Sequence, residues 1–300
     1  MLLFMFHLAH ISDLHLSPLP QPSLSELFGK RFTGYLNWQK KRKRQMETNV
    51  LEALVSTLNE KKPDHIVISG DLVNLALDKE FEQAYDWLLN QGSPQNISLT
   101  FGNHDAYVCG AFRKACTIFQ PWIKGDLPQK STSPFPYMRI RDNIAIISAS
   151  SAIATPPFQA SGYFGKAQAK ILSNLLNEAE KRELFRIVMI HHPPFHRATY
   201  WHKRLWGIGR FLELIKRHGC ELILHGHTHI PTLNTIEGKT KKIPVVGVAS
   251  ASQAFGDKRS PAGFNLFSIE RSHDRWYCQL QRYGIVNKQN KIACTEKIDL

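Results

Sequence analysis

The chain has 300 residues, 43% of them hydrophobic, and a formal net charge of +13 at neutral pH. That length and apolar content support a packed core, as one large α/β domain or two smaller ones. No run approaches the roughly 18 consecutive apolar residues of a membrane span, which excludes a helical transmembrane protein. The charge fits a solvated basic surface, and more pointedly an anionic substrate, an acidic lipid surface or nucleic acid. No recognisable nucleic-acid-binding motif accompanies it, so nucleic acid is not the expected partner. Cys109, Cys116, Cys220, Cys278 and Cys294 are few, odd in number and without metal-type spacing, which suits a reduced, cytoplasmic protein. Met1 to Phe6 is apolar but lacks a basic flank and a small-residue cleavage site, so a signal peptide is not expected, and Met5 could equally start the chain.

In chain order, His7 to Ile11 reads as a strand that empties into Ser12-Asp13-Leu14-His15. Residues 17–44 look like an insertion. A Pro-rich loop is followed by Leu24, Leu27, Phe28, Phe32, Tyr35, Leu36 and Trp38 at roughly helical spacing, broken by Gly29 and Gly34. Lys30, Arg31, Lys40, Lys41, Arg42, Lys43 and Arg44 accompany them. Two readings follow. A lid would pack its apolar side on the body and turn its charges to water. A membrane-surface helix would lay its aromatics in lipid near anionic head groups. The lid is the expected one, with membrane contact at its outer edge as the alternative.

Met46 to Leu58 stripes an amphipathic helix stopped by Pro63. His65 to Ile68 is a buried strand ending in Ser69-Gly70-Asp71. Phe81, Ala84, Tyr85 and Leu88 mark a second helix, and residues 92–101 return to a strand and the loop Gly102-Asn103-His104-Asp105. Residues 106–137, with four prolines, read as loops and short helix. Ile144 to Ile147 and 185–190 are strands around a helix striped by Ala167, Ile171, Leu172, Leu175 and Leu176. The second of these strands ends in His191-His192-Pro193-Pro194. A helix over Ile208 to Ile215 closes at Gly219, and strands follow at 221–225, 243–249, 263–270 and 275–282. The first of these delivers His225-Gly226-His227-Thr228-His229. Early strand–helix alternation and late successive strands indicate α/β with partly antiparallel sheets.

Five strand ends therefore bring Asp, His and Asn to one rim, where open α/β folds place ligands. Asp13-x-His15 and His227-x-His229 would point both side chains the same way if extended, and Gly226 would let the backbone come close to a ligand. Asp13, His15, Asp71, Asn103, His191, His227 and His229 make a donor set of carboxylate, amide oxygen and imidazole. That set suits Mn, Fe, Zn or Ni and is too rich in nitrogen for Ca or Mg alone. No thiolate takes part, so a structural zinc knot is not expected. The donors exceed one tetrahedral site, which points to two ions sharing a carboxylate.

These five blocks, in this order over residues 10 to 229, resemble the calcineurin-like metallophosphoesterase superfamily. The surroundings Leu72-Val73-Asn74 and Pro193-Pro194 are similar to the bacterial branch grouped with class III cyclic-nucleotide phosphodiesterases. Thr100-Phe101-Gly102 departs from the Pro-Gly-Asn-His wording common there, at the approach to the loop and not at a ligand. The resemblance implies an α-β-β-α sandwich of two mixed sheets flanked by helices. It implies a single metallophosphoesterase domain over 1–300, with its motif core at 7–252, the insertion at about 17–44 and C-terminal strands at 263–300. It assigns one metal to Asp13, His15, Asp71 and His229, and a second to Asp71, Asn103, His191 and His227, with Asp71 bridging. His104 would face the leaving group and Asp105 would orient it; His192 would support the site without binding metal.

The implied activity is that of a dinuclear metal-dependent phosphoesterase acting on a phosphodiester or related ester, with a cyclic nucleotide as one substrate. Two cations about 3.5–4 Å apart would neutralise the phosphoryl oxygens and lower the pKa of a bridging water, whose hydroxide attacks phosphorus in line. The leaving alkoxide needs a proton or a positive neighbour, a task for His104. Two alternatives stand beside this. One is a pyrophosphatase acting on a nucleotide-linked lipid precursor of the UDP-diacylglucosamine type, suggested by the apolar and basic insertion. The other is a silent scaffold of the same fold, which would be expected to have lost ligands that are all present here.

Overall fold

The computed structural model describes residues 5–40, 42–128, 131–256, 258–273 and 275–300, the Arg44 side chain excepted. Residues 1–4 and Lys41 of the basic run lie outside that set. The early chain supplies β1 (Met5–Ile11), β2 (His65–Ile68) and β3 (Ile97–Leu99). The middle supplies β4 (Tyr137–Arg141), β5 (Ile144–Ser148), β6 (Gly162–Tyr163), β7 (Phe185–Met189), β8 (Leu205–Trp206), β9 (Leu222–His225), β10 (Leu233–Glu237) and β11 (Lys242–Gly247). The end supplies β12 (Gly263–Ser272), β13 (Arg275–Ile285) and β14 (Ile292–Asp299). They form two six-stranded sheets, β14-β13-β12-β1-β2-β3 and β10-β11-β9-β7-β5-β4, and a small parallel ribbon of β6 with β8. Both sheets are mixed: β1 runs parallel to β2 and antiparallel to β12, while β7 runs parallel to β5 and β9.

Period-two alternation explains the layering. On β1, Phe6 and Leu8 enter the core between the sheets with Val67, Ile146, Ile187, Leu224 and Phe267. Ala9 and Ile11 face the opposite way, under α2 (Thr48–Glu60) and α3 (Asp78–Asn90), whose Leu51, Leu54, Phe81 and Leu88 complete that layer. On the other side, α6 (Lys166–Lys181) and α7 (Ile208–His218) cover the second sheet through Leu172, Leu176, Phe211 and Ile215. The result is the four-layer α-β-β-α sandwich. Among the described residues no helix is long and apolar enough to cross a membrane.

The insertion holds α1 (Lys30–Lys40), with α4 (Ala111–Ile118) and α5 (Gln120–Ile123) filling the 106–137 stretch. Gly34 does not break α1, contrary to the reading of its sequence. It lies inside the helix, where an added Cβ would collide with the Tyr107 hydroxyl and with Leu75, so the glycine is what lets the helix sit against the body. Gly29, at φ +72°, precedes the helix and marks its true start. Four strands, β4, β10 and the short β6 and β8, went unread in the sequence.

Phe267 is fully buried between the sheets. Phe267→Ala should destabilise the fold by about 3–5 kcal/mol. An unchanged urea midpoint would show that this layer is not the core described.

Candidate metal centre

The loops after β1, β2, β3, β7 and β9 meet at one end of the sandwich. Backbone pairing continues past the strands: Asp13 N–H donates to Gly70 O (2.9 Å), His15 N–H to Asp71 O (3.0 Å) and Leu16 N–H to Leu72 O (2.9 Å). The segments are not extended, however. Asp13, His15, Asp71, His227 and His229 all take positive φ, between 44° and 67°. The expectation that Asp13/His15 and His227/His229 align by strand alternation is thus corrected. Each donor sits on a left-handed residue, a conformation that costs of order 1–3 kcal/mol and persists only where its surroundings enforce it. Gly226 makes room against Ser12 and the Asp13 carboxylate, where a Cβ would not fit.

Asp13, His15, Asp71, Asn103, His191 and His229 are buried, and His227 is half-buried. Asp13 Oδ1 lies 3.1 Å from His229 Nε2. His15 Nε2 lies 3.4 Å from His229 Nε2 and 3.9 Å from Asp71 Oδ2. His191 Nε2 lies 3.4 Å from the same Asp71 Oδ2. One carboxylate oxygen is therefore flanked by an imidazole from each of the two expected ligand sets. Asp13, His15 and His229 form one compact donor group, and Asp13, Asp71 and His191 another. Asn103 and His227 line the adjoining cavity with Asp71 and His229. A third group joins His15 and Asp71 with His104, and His227 falls in none of the three; its backbone N–H donates to Asp13 Oδ2 (2.9 Å) and its ring packs on His191 and His192.

The outer nitrogens are committed elsewhere. His15 Nδ1 faces Val73 O (3.2 Å), His191 Nδ1 faces Ser69 O (2.7 Å) and His227 Nε2 faces Lys203 O (3.0 Å). Each carbonyl demands the proton and fixes the tautomer, leaving the other nitrogen as a lone-pair donor. Among the described residues, Asp13 Oδ1, Asn103 Oδ1 and His191 Nε2 are buried and make no hydrogen bond, the first and last facing only His229 and Asp71, donors of the same site. Buried polar atoms are otherwise nearly always paired. Converging, unpaired oxygen and nitrogen donors are what a bound cation requires, so these residues fit metal ions. The electrostatics agree. Burial works against a charge on Asp71, yet His191 and His104 hold its pKa well below the usual carboxylate range. Burial also opposes a proton on His191, but Asp71 and Asp13 raise its pKa to about 9, so without a cation Nε2 carries a proton that a bound ion would displace.

His192 is engaged at both nitrogens, by Ser151 Oγ (2.8 Å) and Ala160 O (3.0 Å), and is a support for its neighbours. His104 is also engaged twice. Its Nδ1–H donates to Asn74 O (2.5 Å) and its Nε2 accepts from Arg42 Nη2 (3.0 Å). Burial, then Arg42, pushes its pKa down to about 3. Asp105 does not orient that ring. Its carboxylate instead accepts from the backbone N–H groups of Asp71 (2.8 Å), Gly102 (2.8 Å), Leu72 (2.9 Å) and Val73 (3.3 Å).

Arg42 and Lys30 were missed as site residues, since nothing but charge distinguished them in the basic run. Lys30 Nζ bonds Thr155 Oγ1 (2.7 Å) and Gln159 O (3.1 Å) and lies over the Tyr107 ring. Glu80 was missed too: buried, it accepts from the N–H groups of Asn74, Leu75 and Leu77. Glu80 is the third residue of α3 and reaches back to the N-cap N–H, but with Leu77 at the N-cap the Ser/Thr-x-x-Glu signature is absent from the sequence.

A two-sheet sandwich with carboxylate, imidazole and amide donors gathered on its loop rim has the makings of a metal-dependent hydrolase. Residues 6–231 match the calcineurin-like phosphoesterases, and the chain belongs to that family. It is a metal-dependent hydrolase. It is 24% identical over 285 residues to a "Probable cyclic nucleotide phosphodiesterase" of a Synechococcus species, covering 90% of this chain and 91% of the relative. Its fold is similar to that of a dimetal phosphatase from Danio rerio (TM-score 0.62, 12% identity, 98% of both chains). It is also similar to a purple acid phosphatase from yellow lupin seeds (TM-score 0.56, 12% identity, 94% of this chain and 52% of the other).

Asp105→Asn would turn an amide NH2 toward backbone donors. A buried donor left unsatisfied costs about 1–3 kcal/mol. The variant should be less stable to urea and hold less metal by elemental analysis. Full metal content at wild-type stability would contradict the role given to Asp105.

Proposed function

We propose that the protein hydrolyses a phosphodiester or related phosphate ester at a dinuclear centre. Asp13, His15, Asp71 and His229 would hold one ion, and Asp71, Asn103, His191 and His227 the other. The observation that carries this reading is Asp71 Oδ2, which lies beside a histidine of each set. When bound, the ions neutralise phosphoryl oxygens and supply a nucleophile from water at neutral pH. Mn, Fe, Zn and Ni all suit the donors.

The chain's own residues do the rest. The loop carbonyls of Val73, Ser69 and Lys203 hold three ligand imidazoles in the required tautomer. His104, held by Asn74 O and Arg42, stands at the wall of the cavity with its proton already donated. The fixed positive charge beside a leaving alkoxide is therefore that of Arg42, with His104 positioning it. Preorganised charge of this kind is typically worth about 10²–10³ in turnover when removed from an anion hole.

A cyclic nucleotide is one substrate class, supported by the Synechococcus relative's name. A second reading has its own support. Among the described residues that line the cavity of about 660 Å³, Lys30, Arg42, Lys203, Lys258 and Arg259 are cationic and Asp71 alone is acidic. That excess favours a substrate with more than one negative charge, such as a nucleotide-linked diphosphate. A panel of cyclic nucleotides and nucleotide-sugar diphosphates with added Mn separates the two.

Asp71→Asn should lose at least one of the two ions and most activity on bis-p-nitrophenyl phosphate. Undiminished metal content with near-normal turnover would sink the bridging assignment. Arg42→Ala and His104→Ala should keep both ions and slow alkyl esters by about 10²-fold, the scale of a lost anion-hole donor. Activated aryl esters, whose leaving group needs less stabilisation, should suffer less. Equal losses on both would place these residues outside the leaving-group side.

A further inference from the structure

We propose that the cavity rim, led by the outward face of α1, docks the protein onto an anionic lipid surface, so that its substrate is met there. The purpose of the docking rests on the phosphoesterase reading above; the docking itself does not.

The helix has three faces. Lys30, Thr33, Gly34 and Asn37, at spacings of three and four, line the cavity. Arg31, Tyr35 and Trp38 face the body: Arg31 donates to Leu75 O (3.0 Å) and Ala76 O (2.6 Å), Tyr35 packs on the core and Trp38 is buried. The third face carries Phe32 and Leu36, 53% and 41% exposed, and Phe28, 89% exposed, lies in the turn just before the helix. An amphipathic surface helix normally turns polar residues to water. Here an apolar stripe faces out while two anchored faces prevent the helix from rolling to hide it.

The stripe does not stand alone. Lys30 ties α1 to the 155–159 loop through Thr155 and Gln159, and that loop carries Phe158, 84% exposed at the cavity mouth. Ala160 N–H donates to His202 O (2.9 Å), joining the loop to the segment that carries Tyr200 and Trp201, 77% and 67% exposed. Three separate segments thus place aromatics along one hydrogen-bonded rim. Isolated exposed apolar residues need no explanation, but a connected set marks an interaction surface.

Charge selects the partner. Arg197, Lys203 and Arg259 are exposed beside these aromatics or at the mouth, and the chain carries a net +13. A second copy would press one basic face on another. An anionic bilayer accepts aromatics at its interface and attracts the cations around them.

The test uses the full chain loaded with Mn, and vesicles of phosphatidylcholine with or without phosphatidylglycerol. The wild type should sediment with the anionic vesicles, and less so as salt screens the attraction. Phe28→Gln/Phe32→Gln/Leu36→Gln keeps good helix formers at the two positions inside α1 and should lower the partition coefficient at least about tenfold. Phe28→Leu/Phe32→Leu should retain most of the binding. Hydrolysis of bis-p-nitrophenyl phosphate in solution should be equal in all three proteins. Loss of that hydrolysis in the wild type would fail the phosphoesterase reading and leave the sedimentation result to decide docking. Wild-type protein that ignores anionic vesicles would overturn the proposal. So would a wild-type dimer that the glutamine variant converts to monomer, because the stripe would then be a subunit interface.

Discussion

Four backbone N–H groups from two loops converge on the carboxylate of Asp105, and the metal centre depends on that convergence. Asp71, Leu72 and Val73 come from the loop after β2, and Gly102 from the loop after β3. Parallel neighbours end side by side, but nothing in a ladder obliges their loops to stay together. A single buried acceptor does. Burial and the charge of Asp71 push the Asp105 pKa up to about 7, so the N–H donors must stabilise the carboxylate against both. With the Asp71 loop fixed, the loop after β1 runs along it through Asp13 and His15, and Asp13 in turn receives His227. Ligands from three sheet positions are thereby tied to one side chain that touches none of the ions it would serve.

This arrangement carries a cost in stability. Five donors occupy left-handed backbone conformations. Among the described residues three buried donor atoms make no hydrogen bond, and two of them face only another donor of the same site. Each is unfavourable by itself, by about 1–3 kcal/mol, and the sandwich cores beneath must offset them. Bound cations would relieve the second group directly, since any ligand that binds only the folded chain stabilises it by mass action. The strain and the unmet donors are the same feature seen from the backbone and from the side chain: a site that is incomplete as protein alone.

Much of this was legible in the sequence, for identifiable reasons. Buried strands ending abruptly in Asp13, Asp71, Asn103, His191 and His227 announced the rim, because apolar runs and their terminators are local signals. Left-handed φ at Asp13, His15, Asp71, His227 and His229 was not legible, because nothing in Asp-x-His or His-x-His distinguishes an extended pair from a strained one. Strand β4 hid behind Pro134 and Pro136, and its Arg139 reads as a surface residue. In the fold that guanidinium is buried and donates to the carbonyls of Pro94, Ile97, Pro121 and Lys124. Strand β10 is a largely exposed edge with one buried residue, Ile236, so its alternation carries little apolar contrast. Asp105 was noticed for its neighbour in sequence, whereas three of its four partners lie about thirty residues away.

The insertion shows the limit of periodicity most clearly. Its aromatics and cations repeat at helical spacing, and a two-faced helix was the natural reading. A helix at the lip of a cavity has three environments: the body, the cavity and the outside. Aromatics fall on the body face and the outer face, and cations on the body face and the cavity face. A single apolar stripe therefore never forms, and the pattern resembles a weakly amphipathic helix when it is a fully committed one. The same placement gives α1 a double task. Its inward cation Lys30 and the Arg42 that follows it shape the charge over the metal donors, while its outward residues meet whatever lies above the mouth. Because Lys30 and the outward residues share one helix, a contact made on the outer face would bear on the element that carries a cation of the site, and the proposed surface attachment and substrate access would be coupled through it.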